Sequence, residues 1–381
     1  IGETYYETIK AALDAVQEGE TIQLLAGTIE EGSILFPAVL KNITIKGAAD
    51  KQTVVKNTTF GSFHGGSVHY EGITIDGIVF DGSQIVFTGA RTGEVVYKNW
   101  TISNCEFRNI VSASNSAIHF NLAADETFEG LTFANNVIDG VTGGNISGLR
   151  ANYLSGDIVI VGNRISNVAW NAIQLIHVNV GTYTIENNVL ASGAAEGILN
   201  LYNTTATTLS IANNQFLVTE GQAGIGYLGS GDVSANYWGG EAPANLPEGV
   251  TFVNYYTSVA EDGTLGGLMT CVAKIGNKSY ATLQAAVNVA QEGDTVQLLA
   301  VEISEGTVKL PATLKNVTIK GTEGTVLKDM TVSAADGNSY SYIGLTFDGI
   351  TFDNSRLLFT GWRNGEETIE DLTIVNCVFR N

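Results

Sequence analysis

The sequence predicts an all-β fold: a right-handed parallel β-helix, tandemly duplicated, with a short capping helix before the first strand. Three observations predict it. A nine-residue phrase recurs along the chain, a second strand-like phrase recurs in step with it, and the opening segment returns near residue 275. Two strand phrases per period, held in register over several periods, indicate a chain that winds one coil per period. Each strand then pairs with its equivalent in the next coil.

The nine-residue phrase alternates apolar and polar residues on both sides of a small polar pair, which is typical of strand, tight turn and strand. It includes TIDGIVFDG from Thr74 and TIENNVLAS from Thr184, and successive copies lie 22 to 31 residues apart. From the third copy on, its fifth position is asparagine. Stacked asparagine amides can bond one another, so we expect one structural ladder of five residues: Asn136, Asn163, Asn188, Asn214 and Asn236.

The second phrase supplies another strand to each coil. Its apolar positions, expected to fill the interior, are Ile118, Leu149, Ile173, Ile198 and Ile225. Because strand side chains alternate between faces, the following residues should form an outward column: His119, Arg150, Gln174, Leu199 and Gly226. Equivalent residues in this column should stack at the strand spacing of about 4.8 Å.

The opening segment is copied further along the chain. Residues 1–47 and 275–321 align without a gap and are identical at 26 of 47 positions. We therefore predict a complete β-helix unit at 1–258 and a second, truncated unit at 275–381. The intervening stretch 259–274, which contains EDGTLGG, is interpreted as a linker.

A helix is expected ahead of the first strand of each unit. Ile9, Ala12, Leu13 and Val16 follow helical spacing and are succeeded by Gly19. An open β-helix end exposes core and unpaired backbone, which a short helix could cover. The sequence thus predicts two capping helices, at 8–17 and 281–291.

Composition excludes several classes of protein. The 381 residues include 19 Lys and Arg and 39 Asp and Glu, a net charge of −20, so we expect no nucleic-acid partner. No apolar run reaches the roughly 18 residues of a membrane helix, so no membrane span is predicted. A hydrophobic fraction of 44% is too high for a disordered acidic chain.

A family resemblance follows from these motifs. The segment AALDAVQEGETIQLLAGTIEEG resembles the opening of right-handed parallel β-helix proteins of the pectin-lyase-like superfamily, and ANYWGG at 235–240 is also similar. The tandem arrangement most resembles the pectate-lyase-like adhesive domains of bacterial surface proteins. The resemblance implies the fold, but this fold hosts lyases, hydrolases, tailspikes and adhesins, so it leaves the function open.

The outward column contains the candidate ligand site. His119, Arg150 and Gln174 in successive coils could hold an anionic sugar or another carboxylate. The column carries no acid, and lyases and hydrolases of this fold need carboxylates for a metal or for acid and base work. We therefore predict a protein that is not an enzyme and has no catalytic residue. It would be an extracellular repeat module of a bacterial surface or filament protein, acting as an adhesin or structural stalk that could bind glycan. The alternative is a polysaccharide lyase or glycoside hydrolase that uses the Arg150 face on an acidic glycan.

A second candidate site consists of four aspartates around one corner. Asp76 and Asp81 flank a turn, and Asp348 and Asp353 are their duplicates. Oxygen ligands five residues apart could bind Ca²⁺, and the simpler interpretation is turn chemistry, in which Asp bonds nearby backbone. No cofactor is expected beyond this possible Ca²⁺.

The remaining predictions concern location and partners. We expect an extracellular or cell-surface location, with any signal or anchor outside this fragment. The expected partners are a glycan or a host or cell-surface ligand. End-to-end association of chains is a further possibility, because another chain could continue the stack of coils.

Overall fold

The computed structural model describes residues 1–87, 92–243, 246–247, 249–276, 278–335, 339–359 and 365–381. The chain is a β-solenoid of about 13 turns with 49% strand, which confirms the predicted parallel β-helix. It divides into two compact units. The first comprises Ile1–Gly239 and Ala244–Val250, and the second comprises Gly240–Pro243 and Thr251–Asn381.

Each unit carries one seven-residue α-helix near its start. In the first unit the helix spans Ile9–Ala15, and Thr8 caps it by accepting a hydrogen bond from the Ala11 N–H at 3.0 Å. The second helix spans Leu283–Val289 and has the same cap from Thr282. Both helices are shorter than the ranges predicted from the spacing of apolar residues, because the backbone is already extended at Val16 and Ala290.

Three parallel sheets run along the first unit, one strand from each in a typical coil. Sheet A consists of Thr21–Gln23, Thr44–Lys46, Thr74–Asp76, Val95–Ser103, Thr127–Ala134, Leu154–Val161, Gly181–Glu186 and Thr208–Ala212, with Val39–Lys41 and Val68–Glu71 paired beside it. Sheet B consists of Gly27–Ile29, Thr53–Lys56, Val79–Asp81, Glu106–Val111, Val137–Thr142, Arg164–Val168, Val189–Leu190, Gln215–Phe216 and Asn236–Tyr237.

Sheet C is the third face, and it consists of Ser33–Leu35, Thr59–Gly61, Gln84–Phe87, Ile118–Phe120, Leu149–Asn152, Ile173–Ile176, Leu199–Tyr202 and Ile225–Gly226. Two more short strands, Gly231–Asp232 and Val250–Thr251, and a 3₁₀ turn at Ala49–Lys51 complete the elements outside the second unit's own strands.

The second unit begins with antiparallel strands and continues as a solenoid. Asn254–Val259 and Leu265–Thr270 form a hairpin, so the stretch interpreted as a linker is largely strand. Ala273–Ile275 then pairs with Lys278–Tyr280 and with the first solenoid strand. The parallel strands of the solenoid lie in four sheets. Two of these have four parallel strands each: Thr295–Leu298, Thr318–Lys320, Thr346–Asp348 and Thr373–Val375 in one, and Glu302–Ile303, Val326–Lys328, Thr351–Asp353 and Val378–Arg380 in the other. The remaining two have three strands each: Thr307–Lys309, Thr331–Ser333 and Arg356–Leu358 in one, and Thr313–Lys315, Tyr340–Ile343 and Glu367–Glu370 in the other.

The core of the first unit is a packed column of inward side chains. Rings dominate its first half: Trp100 contacts Phe87 at 5.0 Å and Phe120 at 5.3 Å between centroids, edge to face in both pairs. Aliphatic residues such as Ile158 and Ile185 fill the later coils and are fully buried. This rigid filling holds each strand in register, and the register determines which outward side chains become neighbours.

Candidate functional site

The outer face of sheet C brings polar residues from four consecutive coils together. His119 pairs in register with Arg150, Arg150 with Gln174, and Gln174 with Asn200. Their strands are parallel and directly bonded, so the side chains lie about 4.8 Å apart along the tube. We call these four residues, His119, Arg150, Gln174 and Asn200, the polar stripe. Three of the four were predicted from the sequence.

The predicted column needs one correction. Leu199, expected to face outward, pairs with Ile173 and is fully buried, while Asn200 takes the outward position beside Gln174. Ile198, expected in the inward column, lies just before the strand and is also buried. The sequence Ile-Leu-Asn-Leu offers two apolar frames one residue apart, and the register that pairs Leu199 with Ile173 places a polar residue on the outer face.

His119 is held in one orientation by its neighbour Asn115. The His119 Nδ1 lies 3.2 Å from the Asn115 Oδ1. An amide oxygen only accepts hydrogen bonds, so this contact is a hydrogen bond in the tautomer that carries the proton on Nδ1, and in that tautomer Nε2 has a free lone pair. Burial, with the nearby positive charge of Arg150, lowers the pKa of His119 from 6.5 to about 4. The ring is therefore neutral at pH 7.

Four buried polar atoms on this face have no hydrogen-bond partner among the described residues. They are His119 Nε2, Arg150 Nε, Asn152 Oδ1 and Asn200 Oδ1. Burial also lowers the pKa of Arg150. Leaving a buried polar atom unpaired costs about 1–3 kcal/mol, so these four atoms are available to bond water or a bound ligand.

Asn152 and Asn200 were not among the site residues predicted from the sequence. Asn152 is 8% exposed, and its Nδ2 donates to the Asn121 Oδ1 at 2.6 Å in the preceding coil. The only sequence signal for either residue is position: Asn152 follows Arg150 by two, and Asn200 lies 26 residues after Gln174. Two-residue alternation and a coil-length step could have identified both, given the correct frame at Leu199.

The four aspartates bond asparagines and cations of the neighbouring coil. Asp76 accepts from the Asn104 Nδ2 at 2.7 Å, and Asp81 accepts from the Asn109 Nδ2 at 3.0 Å. In the second unit, Asp348 accepts from Asn376 and Asp353 from Asn381. The two aspartates of each pair lie on strands of different sheets and share no partner among these bonds.

Arginine reinforces two of these contacts. The Arg108 Nε donates to Asp81 at 3.1 Å, and the Arg380 Nε donates to Asp353 at the same distance. The Asn109 hydrogen bond, opposed by burial and aided by Arg108, lowers the pKa of Asp81. No group of three or more His, Cys, Asp or Glu that could hold a metal occurs within the described ranges. Calcium binding at this corner therefore stays a prediction.

The five asparagines form one continuous file at the turn between sheets A and B. The side-chain Nδ2 of Asn136 donates to the Oδ1 of Asn163 at 3.1 Å, and the same bond links Asn163 to Asn188 and Asn188 to Asn214 at 2.9 Å each. Asn214 donates to Asn236 at 3.0 Å. All five are at most 1% exposed, so the file is part of the buried scaffold of the coils.

Comparisons with known proteins place the chain by fold alone. No family model matches it, and no curated protein matches it. Among solved structures it is similar to a PL6 family alginate lyase, with 12% identity, a TM-score of 0.20, and coverage of 99% of this chain and 80% of that one.

Two more solved structures are similar. The A-module of a mannuronan C-5 epimerase from Azotobacter vinelandii has 14% identity and a TM-score of 0.29, over 97% of this chain and 92% of that one. The catalytic domain of a GH87 alpha-1,3-glucanase has 11% identity and a TM-score of 0.26, over 95% of this chain and 64% of that one.

One prediction is corrected by these comparisons. We expected that the chain is not an enzyme, whereas the three solved structures named above are an alginate lyase, an epimerase and a glucanase, each of them an enzyme. The expectation of a protein without activity is therefore wrong.

Within the part of the chain that the structure describes, neither helix has the length and apolar character needed to cross a bilayer.

Proposed function

We propose that this protein acts on an acidic glycan bound along the outer face of sheet C. The observation that carries the proposal is the group of four unpartnered polar atoms on that face. They comprise a guanidinium N–H, which donates, an imidazole lone pair, which accepts, and two amide oxygens, which accept sugar hydroxyls. This combination matches a carboxylated sugar, which offers both an anion and several hydroxyl donors.

Arg150 is the group that would bind the sugar carboxylate. Guanidinium pairs with carboxylate through two parallel hydrogen bonds, and the polar stripe carries no Asp or Glu to compete for it. Neutralising the carboxylate also acidifies the proton on the adjacent carbon, because the charge that develops there can delocalise into the carboxyl group. Arg150 therefore serves binding and proton removal together.

His119 is the group that would accept that proton. Its Nε2 lone pair is oriented by Asn115, and the ring lies one coil from Arg150. In an elimination, Nε2 takes the proton, the C–H electron pair forms a carbon–carbon double bond, and the neighbouring C–O bond breaks. The protonated ring, an acid with its pKa near 4, can then return the proton to the leaving oxygen. Hydrolysis is not proposed, because it requires a pair of carboxylates.

The test measures binding and turnover on acidic polysaccharides, with polygalacturonate and alginate as probes. Turnover is followed by the ultraviolet absorbance of the unsaturated product, and binding by affinity electrophoresis. Arg150→Ala should lose both, and His119→Gln should keep binding but lose turnover. Arg164→Ala, which removes an exposed arginine from sheet B, is the matched control. Equal behaviour of Arg150→Ala and Arg164→Ala would disprove the assignment.

Location and assembly remain predictions. An extracellular or cell-surface site suits a protein that meets a polymeric glycan, and fractionation of the source cells would test it. A host or cell-surface ligand and end-to-end association of chains are likewise untested. Light scattering over a range of concentrations should show a rising mass if chains associate.

A further inference from the structure

The first strand of sheet A is an edge strand in the first unit. Among the described residues, Thr21–Gln23 pairs on one side only, with Thr44–Lys46. The Leu24 N–H donates to the Lys46 carbonyl on that side at 2.7 Å. Successive N–H groups of an extended chain point to opposite edges, so the N–H of Leu25 points to the open edge. An unpaired edge of this kind can accept another strand.

The second unit has a strand at the corresponding edge. Ala273–Ile275 lies antiparallel beside Thr295–Leu298, which is the copy of the first unit's edge strand. The Leu299 N–H corresponds to that of Leu25, and it donates to the Val272 carbonyl at 2.8 Å. The chain itself therefore shows which sequence this edge pairs with.

The open edge is more exposed than its paired copy. Leu25 is 62% exposed, whereas Leu299 is half-buried. Gln23 is exposed, whereas its copy Gln297 is half-buried. The residue types are identical at these matched positions, so the difference in exposure reflects the neighbours that cover them.

The segment ahead of the helix differs between the units in the same way. In the second unit, Lys278–Tyr280 forms a strand that pairs antiparallel with Ala273–Ile275. Its copy, residues 4–6, is not strand in the first unit, and Tyr5 is 83% exposed. A strand at the open edge would therefore have a neighbour on each side, as Ala273–Ile275 has.

The charge beside the open edge indicates the chemistry of its partner. A cleft of about 390 Å³ lies there, and its lining includes Tyr6, Leu25 and the carboxylates of Glu7 and Glu31. Among the described residues that line it there is no Lys or Arg. The strand found at the copied edge, Val-Ala-Lys-Ile, contributes Lys274 and no acid. Complementary charge of this kind favours one partner over others.

We propose that residues 22–25 form a strand-accepting edge, and that its partner is an extended Val-Ala-Lys segment supplied by another unit of the same duplicated kind. The incoming strand runs antiparallel, and its valine carbonyl accepts from the Leu25 N–H. Main-chain bonds give such a pairing its affinity, and alternate side chains give it specificity. The proposal is independent of the glycan, because none of these residues belongs to the polar stripe.

The test places Val-Ala-Lys, the sequence of residues 272–274, directly ahead of Ile1 in the full chain. Ile1 then takes the position of Ile275, so the register of the second unit is reproduced. Hydrogen exchange of the Leu25 N–H should slow about tenfold, because it gains an acceptor and is covered. An extension of three glycines is the matched control and should leave this exchange rate unchanged. Val-Ala-Glu should slow the exchange less than Val-Ala-Lys does.

The reciprocal variant replaces residues 272–274 by three glycines. Exchange of the Leu299 N–H should then rise about tenfold, while the amides of the first unit keep their rates. Exchange of Leu25 that is equally fast with Val-Ala-Lys and with three glycines would overturn the proposal. Equal protection by Val-Ala-Lys and Val-Ala-Glu would overturn the assignment of a basic strand. Protection of Leu25 that appears in the unextended chain as its concentration rises would show that a second whole copy occupies the edge instead.

Discussion

His119 combines burial, a fixed tautomer and a neighbouring cation in one side chain. Each factor is local, yet each comes from a different coil or loop: Asn115 orients the ring, and Arg150 lies one coil further on. Burial and that positive charge both oppose protonation. The same environment that keeps the Nε2 lone pair free at pH 7 therefore makes the folded state sensitive to acid.

This sensitivity gives a pH prediction. The pKa of His119 is about 4 in the folded chain and 6.5 without the environment of the fold. Between these values the unfolded chain binds a proton that the folded chain does not, so stability falls as the pH is lowered from about 6.5 to about 4. The loss from this residue should approach about 3 kcal/mol.

Chemical denaturation at several pH values checks it. His119→Asn should flatten the dependence over that window, whereas His64→Asn, which removes an exposed loop histidine, should leave the wild-type profile. A His119→Asn profile as steep as that of the wild type would contradict the prediction.

The asparagine file gives a second residue-scale prediction. In Asn163→Ala, the Nδ2 bonds to the Phe133 carbonyl at 2.8 Å and to Asn188 disappear, and the backbone N–H of Asn136 loses its acceptor. Since these groups are buried, the free energy of unfolding should fall by roughly 2–5 kcal/mol. Urea denaturation measures the change. Asn179 is half-buried, and Asn179→Ala should lower the free energy of unfolding by less than about 1 kcal/mol, the value of an ordinary polar contact.

Residues differ in how far the sequence could predict them. The asparagine file follows from spacing alone, because a solenoid converts a period in sequence into contact in space. Spacing alone does not predict which residue of Ile198 and Leu199 occupies the inward strand position, since both are apolar and both are buried. The unpaired state of His119 Nε2 and the left-handed backbone of Tyr227, at φ 58°, depend on three-dimensional packing, and no residue pattern encodes them.

At the scale of elements, a distant carboxylate completes each capping helix. The Glu31 Oε1 accepts from the Ile9 N–H at 2.6 Å, and its Oε2 accepts from the Lys10 N–H at 3.2 Å. Glu305 binds Leu283 and Gln284 in the second unit at the same distances. These bonds satisfy helix N–H groups that have no partner within the helix. The helices were predictable from apolar spacing, but their partners lie 21 to 22 residues away, beyond any local capping pattern.

Removing this carboxylate should loosen the helix. Glu31→Ala leaves two N–H groups without acceptors and removes a negative charge from the positive end of the helix dipole. We expect a loss of about 1–3 kcal/mol and faster hydrogen exchange across Ile9–Ala15. Glu31→Gln keeps one acceptor and should lose less. Glu3→Ala, at an exposed residue, is the control; if it matches Glu31→Ala, the contact is not what holds the helix.

At the scale of the whole molecule, stability is a sum over coils and their interfaces. Deleting residues 189–214 removes one complete coil, because Asn188 and Asn214 are equivalent and lie 26 residues apart. Val189 and Gln215 are register partners, so the new junction preserves alternation. This variant should keep strand content and one cooperative transition, with a modestly lower melting temperature.

A deletion one residue shorter, 189–213, is the matched control. It shifts every later strand by one position and turns inward residues outward, so it should abolish cooperative unfolding of the coils that follow. Circular dichroism and thermal melts compare the two variants. Equal stability of both would show that register is not what holds these coils together.

The asparagine file also has a direction. Asn136, Asn163, Asn188 and Asn214 each donate to the asparagine of the next coil. These bonds point the same way and polarise one another, so an added amide joins a series that is already aligned. A gene that gains or loses codons for one whole turn leaves this alignment unbroken. Evolution can therefore adjust the length of such a protein in increments of one turn, while the cross-section of the coils is inherited unchanged.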